Sequence, residues 1–406
     1  MSSTEENSPR NDPAKTFPPL KRDPRYGLLD VFRGVACLLV VGHHAGFSLY
    51  FAADLKTGPF AWLKQAIAAV LWHFDLGVPL FFVISGYCIA ASVDLNRRRG
   101  AWSWSFLKRR FRRIYPPYWA AILWFIAVVV LTDRLTGSHA LHKNPLVALE
   151  LVDPGKLDPR QWLGNITLTE TWRPRVWSPE EQIFTRVAWS LCYEEQFYFV
   201  CFLILAIIPR RMFVALATVT IVSALVCGAA IDSGSIDRVK GFFPFLWHEF
   251  AFGAAVYWRL NVATTSRGRR SIEIGLGLIA LISLFYTYLS CATAAFFALA
   301  LIFLRDFDHQ AARSRFLDPF RACGTRCYSI YLAHLPACVV VNAWLFQKSD
   351  MNYWMRAFVM FPASVLAGTA AGFVFFEVVE RHFLNARAES SSNRSVEIVQ
   401  DPSASP

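Results

Sequence analysis

The chain reads as an all-α, polytopic integral membrane protein of about ten transmembrane helices, with both termini cytoplasmic. Three observations predict this. The 406 residues are 55% hydrophobic and 17% charged, with a mean hydropathy of +0.34, too apolar for a soluble domain of this length. Ten apolar stretches lie at 34–53, 67–93, 115–131, 187–208, 212–231, 242–258, 272–288, 289–304, 327–347 and 354–376. Each is about 16 to 27 residues long, against the ~20 that cross a bilayer core. Lys and Arg are also distributed asymmetrically. With the N-terminus inside, 27 of them fall in inside segments and 13 in outside ones, the positive-inside pattern.

In chain order, residues 1–27 are polar and proline-rich with no apolar core, which predicts a disordered cytoplasmic tail and no cleaved signal. The membrane domain is expected over 28–384, and the Ser-rich residues 385–406 form a second disordered cytoplasmic tail. The net charge of +11 follows from the cations flanking the apolar segments. No basic stretch is interleaved with exposed aromatics in a soluble domain, so nucleic acid is excluded as a partner. The nine cysteines mostly lie inside apolar runs without paired CxxC units, so they read as reduced core residues and not as a metal site. Neither an internal repeat nor a glycine-rich phosphate loop is present. Asn165-Ile-Thr167 has the form of a glycosylation acceptor, usable only in a eukaryotic secretory membrane.

The first span, RGVACLLVVGHHAG (33–46), places ionisable groups where hydrocarbon is expected. Arg33 and His44 are eleven residues apart, about three turns, so they share one face about 16 Å apart along the axis. Arg33 is expected at the cytoplasmic mouth and His44 near the midplane. Snorkelling to lipid phosphates also accounts for Arg33, and a hydrogen bond to a neighbouring helix for a buried histidine. An intramembrane histidine doublet, however, points to a pathway or a site, because ionisable groups at that depth are costly. In FDLGVPLFFVISGYCIA (74–90), Gly77, Pro79 and the Ser85-Gly86 pair predict a broken helix whose backbone lines a cavity. FLKRRFRRIYPPYW (106–119) sets Lys108, Arg109, Arg110, Arg112 and Arg113 before a Pro-Pro start to the third span. That run suits either lipid headgroups or the phosphates of an anionic cosubstrate. In WSLCYEEQFYF (189–199), Glu194 and Tyr198 share a face, whereas Glu195 points about 100 degrees away. An interfacial aromatic belt is the other reading of that segment. CYSIYLAHLP (327–336) places Tyr331 and His334 one turn apart.

These segments together resemble the membrane-bound acyltransferase 3 family. Arg33 and His44 in LLDVFRGVACLLVVGHHA form its Arg-x10-His pattern. GVPLFFVISGY, RRFRRIYPPYW, WSLCYEEQFYF and YSIYLAHLP resemble its further motifs, in order, over about 28–384. His43 stands where the family more often has an apolar or aromatic residue, and His382 in VVERHFL where proline is common. The resemblance implies a multi-pass protein of a bacterial cell membrane. It would transfer an acyl group, commonly acetyl, from cytoplasmic acyl-CoA to a hydroxyl of a carbohydrate or related acceptor. Acyl-CoA would be a cosubstrate, with no bound cofactor or metal. With no hydrolase-like domain after the last helix, transfer by the membrane domain alone is expected.

Three assignments follow. His44 is the expected general base, an imidazole suited to removing an alcohol proton near neutral pH, with acyl-His44 as the covalent variant; Glu194 orients the acceptor or the base. Arg33 with Arg109, Arg110, Arg112 and Arg113 holds coenzyme A phosphates. Ser85, Tyr198, Tyr331 and His334 contact substrate, with Ser85, Tyr331 or His43 as an oxyanion donor. The rival reading is a proton-coupled transporter or flippase of a surface glycan or metabolite. It is disfavoured because the second half of the chain has no counterpart of the interrupted 74–90 segment.

Overall fold

The computed structural model describes residues 26–136, 152–348 and 351–384. The expected tails at 1–25 and 385–406, and part of the long 132–186 connection, lie outside the described residues. All regular structure among the described residues is helical, and eight helices are long and apolar enough to cross a bilayer. The protein is a multi-pass, all-α membrane protein.

The long elements are α1 (Leu28–Ala45), α2 (Ala61–Trp72), α3 (Gly77–Arg98), α4 (Ser103–Thr136), α5 (Trp189–Ile207), α6 (Met212–Asp232), α7 (Trp247–Tyr257), α8 (Ser266–Phe285), α9 (Leu289–Leu304), α10 (Asp318–Thr325), α11 (Cys327–Lys348) and α12 (Phe361–Val378). All ten apolar stretches therefore become helix, but two are too short or too charged to cross a bilayer. The helix expected at 242–258 is the eleven-residue α7, which ends in a π-turn at Trp258–Val262. The one expected at 272–288 is α8, whose first turns carry the charged SRGRR sequence.

Three boundaries differ from the sequence reading. α1 starts and stops earlier than 34–53. The Asp308 carboxylate accepts from the backbone N–H groups of Gly27 and Leu28, at 3.2 and 2.8 Å, and satisfies donors that the helix start leaves free. At the other end the chain leaves the helix at Gly46 and makes one further turn, Phe47–Tyr50. In the second span the break precedes the predicted one. It is a 3-10 turn at His73–Leu76 joining α2 to α3, and α3 runs unbroken through Pro79, Ser85 and Gly86. Pro79 sits in the first turn, where its missing N–H costs no helical bond. Gly86 permits close packing: a Cβ there would lie 2.0 Å from the Phe250 carbonyl oxygen, and one at Gly253 of α7 would lie 1.9 Å from that of Val83. Finally, Pro116 and Pro117 lie inside α4, so the cationic run is helical and does not precede the helix.

The side chains close the bundle with few polar losses. All nine cysteines are unpaired and none is exposed. Asn165 is buried, giving its amide protons to the Gln161 and Gln182 carbonyls and accepting from the Phe184 N–H, which leaves the sequon asparagine unavailable for glycosylation. Glu380, after α12, accepts from the Ser329 backbone N–H at 3.1 Å and hydroxyl at 2.5 Å, fixing the first turn of α11.

Candidate active site

Five helices enclose a cavity of about 310 Å³. α1 contributes Arg33, α3 Ser85 and Cys88, α4 Arg110 and Arg113, α5 Ser190, Glu194 and Tyr198, and α11 Tyr328 and Tyr331. Arg33 gives Nη1 to Asp30 at 2.6 Å and Nη2 to the Cys88 sulfur at 2.9 Å, which fixes its guanidinium against the cavity wall. Arg110 packs over the rings of Phe106 and Tyr198, 5.7 and 5.5 Å from their centroids, a cation–π arrangement that orients its fork. The helical period explains α5: Ser190, Glu194 and Tyr198 recur every four residues and face the same way.

The cationic run divides across α4. Arg110 and Arg113 line the cavity, whereas Arg109 and Arg112 do not. Arg109 turns away to Asn96 Oδ1 at 2.9 Å and Ser105 Oγ at 3.3 Å. Arg112 is exposed. A fully cationic helix cannot present every side chain to one site, since neighbours diverge by about 100 degrees.

Glu194 lines the cavity with the arginines, whereas neither His44 nor His334 does. One of its carboxylate oxygens accepts from both the Ser85 and Tyr198 hydroxyls. This commits the single Ser85 proton, which removes Ser85 as an oxyanion donor in this arrangement. Tyr331 is committed in the same way, giving its proton to the Val187 carbonyl and sharing a 2.7 Å contact with Ser190. His43 is turned to the Trp72 carbonyl at 2.9 Å, so it does not supply that donor either. Glu195 leaves one buried carboxylate oxygen without a hydrogen-bond partner.

His44 and His334 meet beside this cavity, although neither lines it. His334 is fully buried. Its Nδ1 lies 2.9 Å from the Ile330 carbonyl and 2.9 Å from the Tyr331 carbonyl. Two carbonyls can only accept, so Nδ1 carries the proton and, with both rings neutral, Nε2 accepts from His44 Nδ1 at 3.0 Å. The lone pair of His44 is thereby placed on Nε2. His334, expected to contact substrate, has both nitrogens engaged, one of them with His44, and no exposed surface. The Tyr331 ring connects the two regions, lining the cavity with its centroid 6.4 Å from that of His334.

His44 lies in the last turn of α1, yet it pairs with a residue in the first third of α11. The eleven-residue register from Arg33 to His44 runs through unbroken helix. The sequence reading missed Cys88, Ser190 and Tyr328. The last two were accessible by helical spacing, four residues before Glu194 and three before Tyr331.

Residues 26–373 match the acyltransferase 3 family, described as an acyltransferase domain. The chain is 26% identical over 337 residues to BcsY of Komagataeibacter xylinus, a protein named as a membrane-bound transacylase, covering 78% of this chain and 74% of BcsY. It is 25% identical over 330 residues to the O-acetyltransferase OatA of Staphylococcus aureus, covering 69% of this chain and 50% of OatA. The peptidoglycan O-acetyltransferase OatA of Listeria monocytogenes is 23% identical over 399 residues, with 90% and 58% covered. The chain thus spans about half the length of these O-acetyltransferases. No solved structure matches. Together with the ordered motifs and the helical bundle that gathers them, the match over most of the chain places this protein in the acyltransferase 3 family of membrane acyltransferases.

Proposed function

We propose that the protein moves an acyl group, acetyl in the simplest case, from acyl-CoA to a hydroxyl of a carbohydrate or related acceptor, with His44 as general base. The observation that carries this reading is the His334–His44 pair, which leaves an unprotonated Nε2 beside a cavity lined by three arginines. The nucleotide phosphates lie at the Arg33, Arg110 and Arg113 end, where planar guanidinium forks suit phosphate oxygens. The pantetheine arm extends along the Arg33 face of α1, and about 16 Å of helix brings the thioester level with His44.

The acceptor hydroxyl gives its proton to His44 Nε2 as its oxygen attacks the thioester carbonyl carbon. The tetrahedral intermediate collapses, the C–S bond breaks, and the thiolate takes the proton back from His44 as coenzyme A leaves. Charge developing on the His44 ring is shared through Nδ1–H with His334, whose own Nδ1–H is fixed on two carbonyls. Glu194, held by Ser85 and Tyr198, balances the arginine charge. The relatives named as O-acetyltransferases support a hydroxyl acceptor, and the name peptidoglycan O-acetyltransferase supports a saccharide one.

The test is mass spectrometry of cell-surface glycans and secreted metabolites from cells with the gene, without it, and with His44→Ala. Acyl esters present with the wild-type gene and missing from the other two are expected. Esters that persist with a His44→Ala protein inserted at wild-type level would overturn the assignment.

A further inference from the structure

The end of α1 away from the arginines carries a second built surface. The rings of His43, Phe47, Tyr50 and Trp72 form one net, with centroids 5.3 Å apart for His43–Phe47, 5.6 Å for His43–Trp72, 5.4 Å for Phe47–Tyr50 and 5.1 Å for Tyr50–Trp72. The Phe47 ring also lies nearly parallel to that of His44, 6.1 Å away at 9°. The net is open, since Trp72 remains 46% exposed and the adjoining Phe51 47%.

A lipid-facing belt would present rings with polar tips at the membrane boundary. Here the 3-10 turn after Trp72 adds two exposed ionisable residues, His73 and Asp75. Asp75 has no hydrogen-bond or ion-pair partner among the described residues, and it lies near both His43 and Tyr50. Nor does this turn lie beyond the bundle. Gly77, two residues on, packs against Ala36 and Val40 in the middle of α1. A bare carboxylate at that depth needs water or a ligand to solvate it, and such residues mark substrate paths.

We propose that this surface is the acceptor subsite and that it takes a neutral pyranose ring of a saccharide. A pyranose has an apolar C–H face and a rim of hydroxyls. The aromatic net matches the face, while the Asp75 carboxylate accepts from the rim, in the usual manner of a mostly apolar site with a few placed polar groups. A lipid tail would leave Asp75 unsatisfied, and a phosphorylated acceptor would be repelled by it. With Phe47 stacked on His44, a sugar on this floor presents a hydroxyl to His44 Nε2 from the side opposite the donor arginines. The inference rests on the acyl-transfer reading, and it identifies where the acceptor lies.

Photolabelling tests it without requiring turnover. The full chain in lipid nanodiscs is exposed to diazirine-bearing β-1,4-linked trisaccharides of glucose and of N-acetylglucosamine. Labelled peptides are mapped in the wild type, Trp72→Leu and Asp75→Asn. The expected result is label on 47–51 and 72–75, competed by the unlabelled trisaccharide and reduced at least tenfold in each variant. A diazirine acyl-CoA should label the arginine cavity equally in all three proteins, which also shows that the variants are folded. Two results overturn the subsite: saccharide label absent from the patch or indifferent to both substitutions, or a photoreactive phospholipid labelling the patch without competition by trisaccharide. If acyl transfer fails in the wild type while the competed saccharide label is present, the subsite stands and the acyl-transfer reading alone falls.

Discussion

The two adjacent histidines of α1 have separate surroundings because neighbours on a helix diverge by about 100 degrees. His44 shares the Arg33 face and meets His334, whereas His43 turns to the Trp72 carbonyl. His44→Ala is expected to lower kcat by about 10²–10⁴-fold, the usual contribution of a positioned base. His43→Ala should retain measurable turnover and raise the acceptor concentration needed for half-maximal rate. His334→Ala removes the acceptor for His44 Nδ1–H and should lower kcat with little change in the acyl-CoA requirement. His334→Gln, which keeps an acceptor oxygen, should recover part of it. Steady-state kinetics with each substrate varied in turn separate these outcomes, and equal behaviour of the Ala and Gln variants at 334 would remove the orienting role. The Arg33–His44 register was legible by counting along one helix. The part played by His334 was not, because it depends on α11 meeting α1 across 290 residues of sequence.

At the scale of elements, apolar length located the helices but not their ends. α1 is displaced because its start is capped by Asp308, a residue remote in sequence, and α4 continues through two prolines because nothing in the local pattern says where a helix outlasts the bilayer. The Ser85-Gly86 pair read as a helix break, yet Gly86 serves helix contact. Its Cβ position and that of Gly253 are filled by each other's neighbouring backbone at 2.0 and 1.9 Å. Gly86→Ala should therefore push α3 from α7 and destabilise the fold by about 1–3 kcal/mol, as overpacking does. Gly275→Ala on α8, where a Cβ meets nothing within 4 Å, serves as the control. Thermal unfolding in detergent should show a lowered midpoint for the first and none for the second; equal midpoints would mean the crossing is loosely packed. Displacing α3 also shifts Ser85, so Gly86→Ala should lose activity in proportion.

For the whole molecule, composition and charge asymmetry were sufficient for the membrane class, and the order of five motifs for the family, because neither depends on tertiary contacts. The cavity was legible only in its membership: Arg33, Ser85, Arg110, Arg113, Glu194, Tyr198 and Tyr331 converge, while Arg109 and Arg112 face elsewhere. The 27 to 13 distribution of Lys and Arg predicts that both tails and the 97–113 segment face the cytoplasm and that 132–186 faces outward. Accessibility of single introduced cysteines to an impermeant reagent checks it, and an outward 97–113 segment would remove the cytoplasmic donor site. In the proposed reaction, arginines bind the donor nucleotide at one end of α1 while His44 performs chemistry at the other. The most direct measurement compares acetyl-CoA with a short acetyl thioester lacking the nucleotide, in Arg113→Gln, Arg112→Gln and His44→Ala proteins matched for insertion. Arg113→Gln is expected to raise the half-saturating concentration of acetyl-CoA at least tenfold, to leave the short thioester nearly unaffected and to exceed the effect of Arg112→Gln, while His44→Ala disables both donors equally. Equal losses with both donors in Arg113→Gln, or substantial turnover of either donor in His44→Ala, would contradict it.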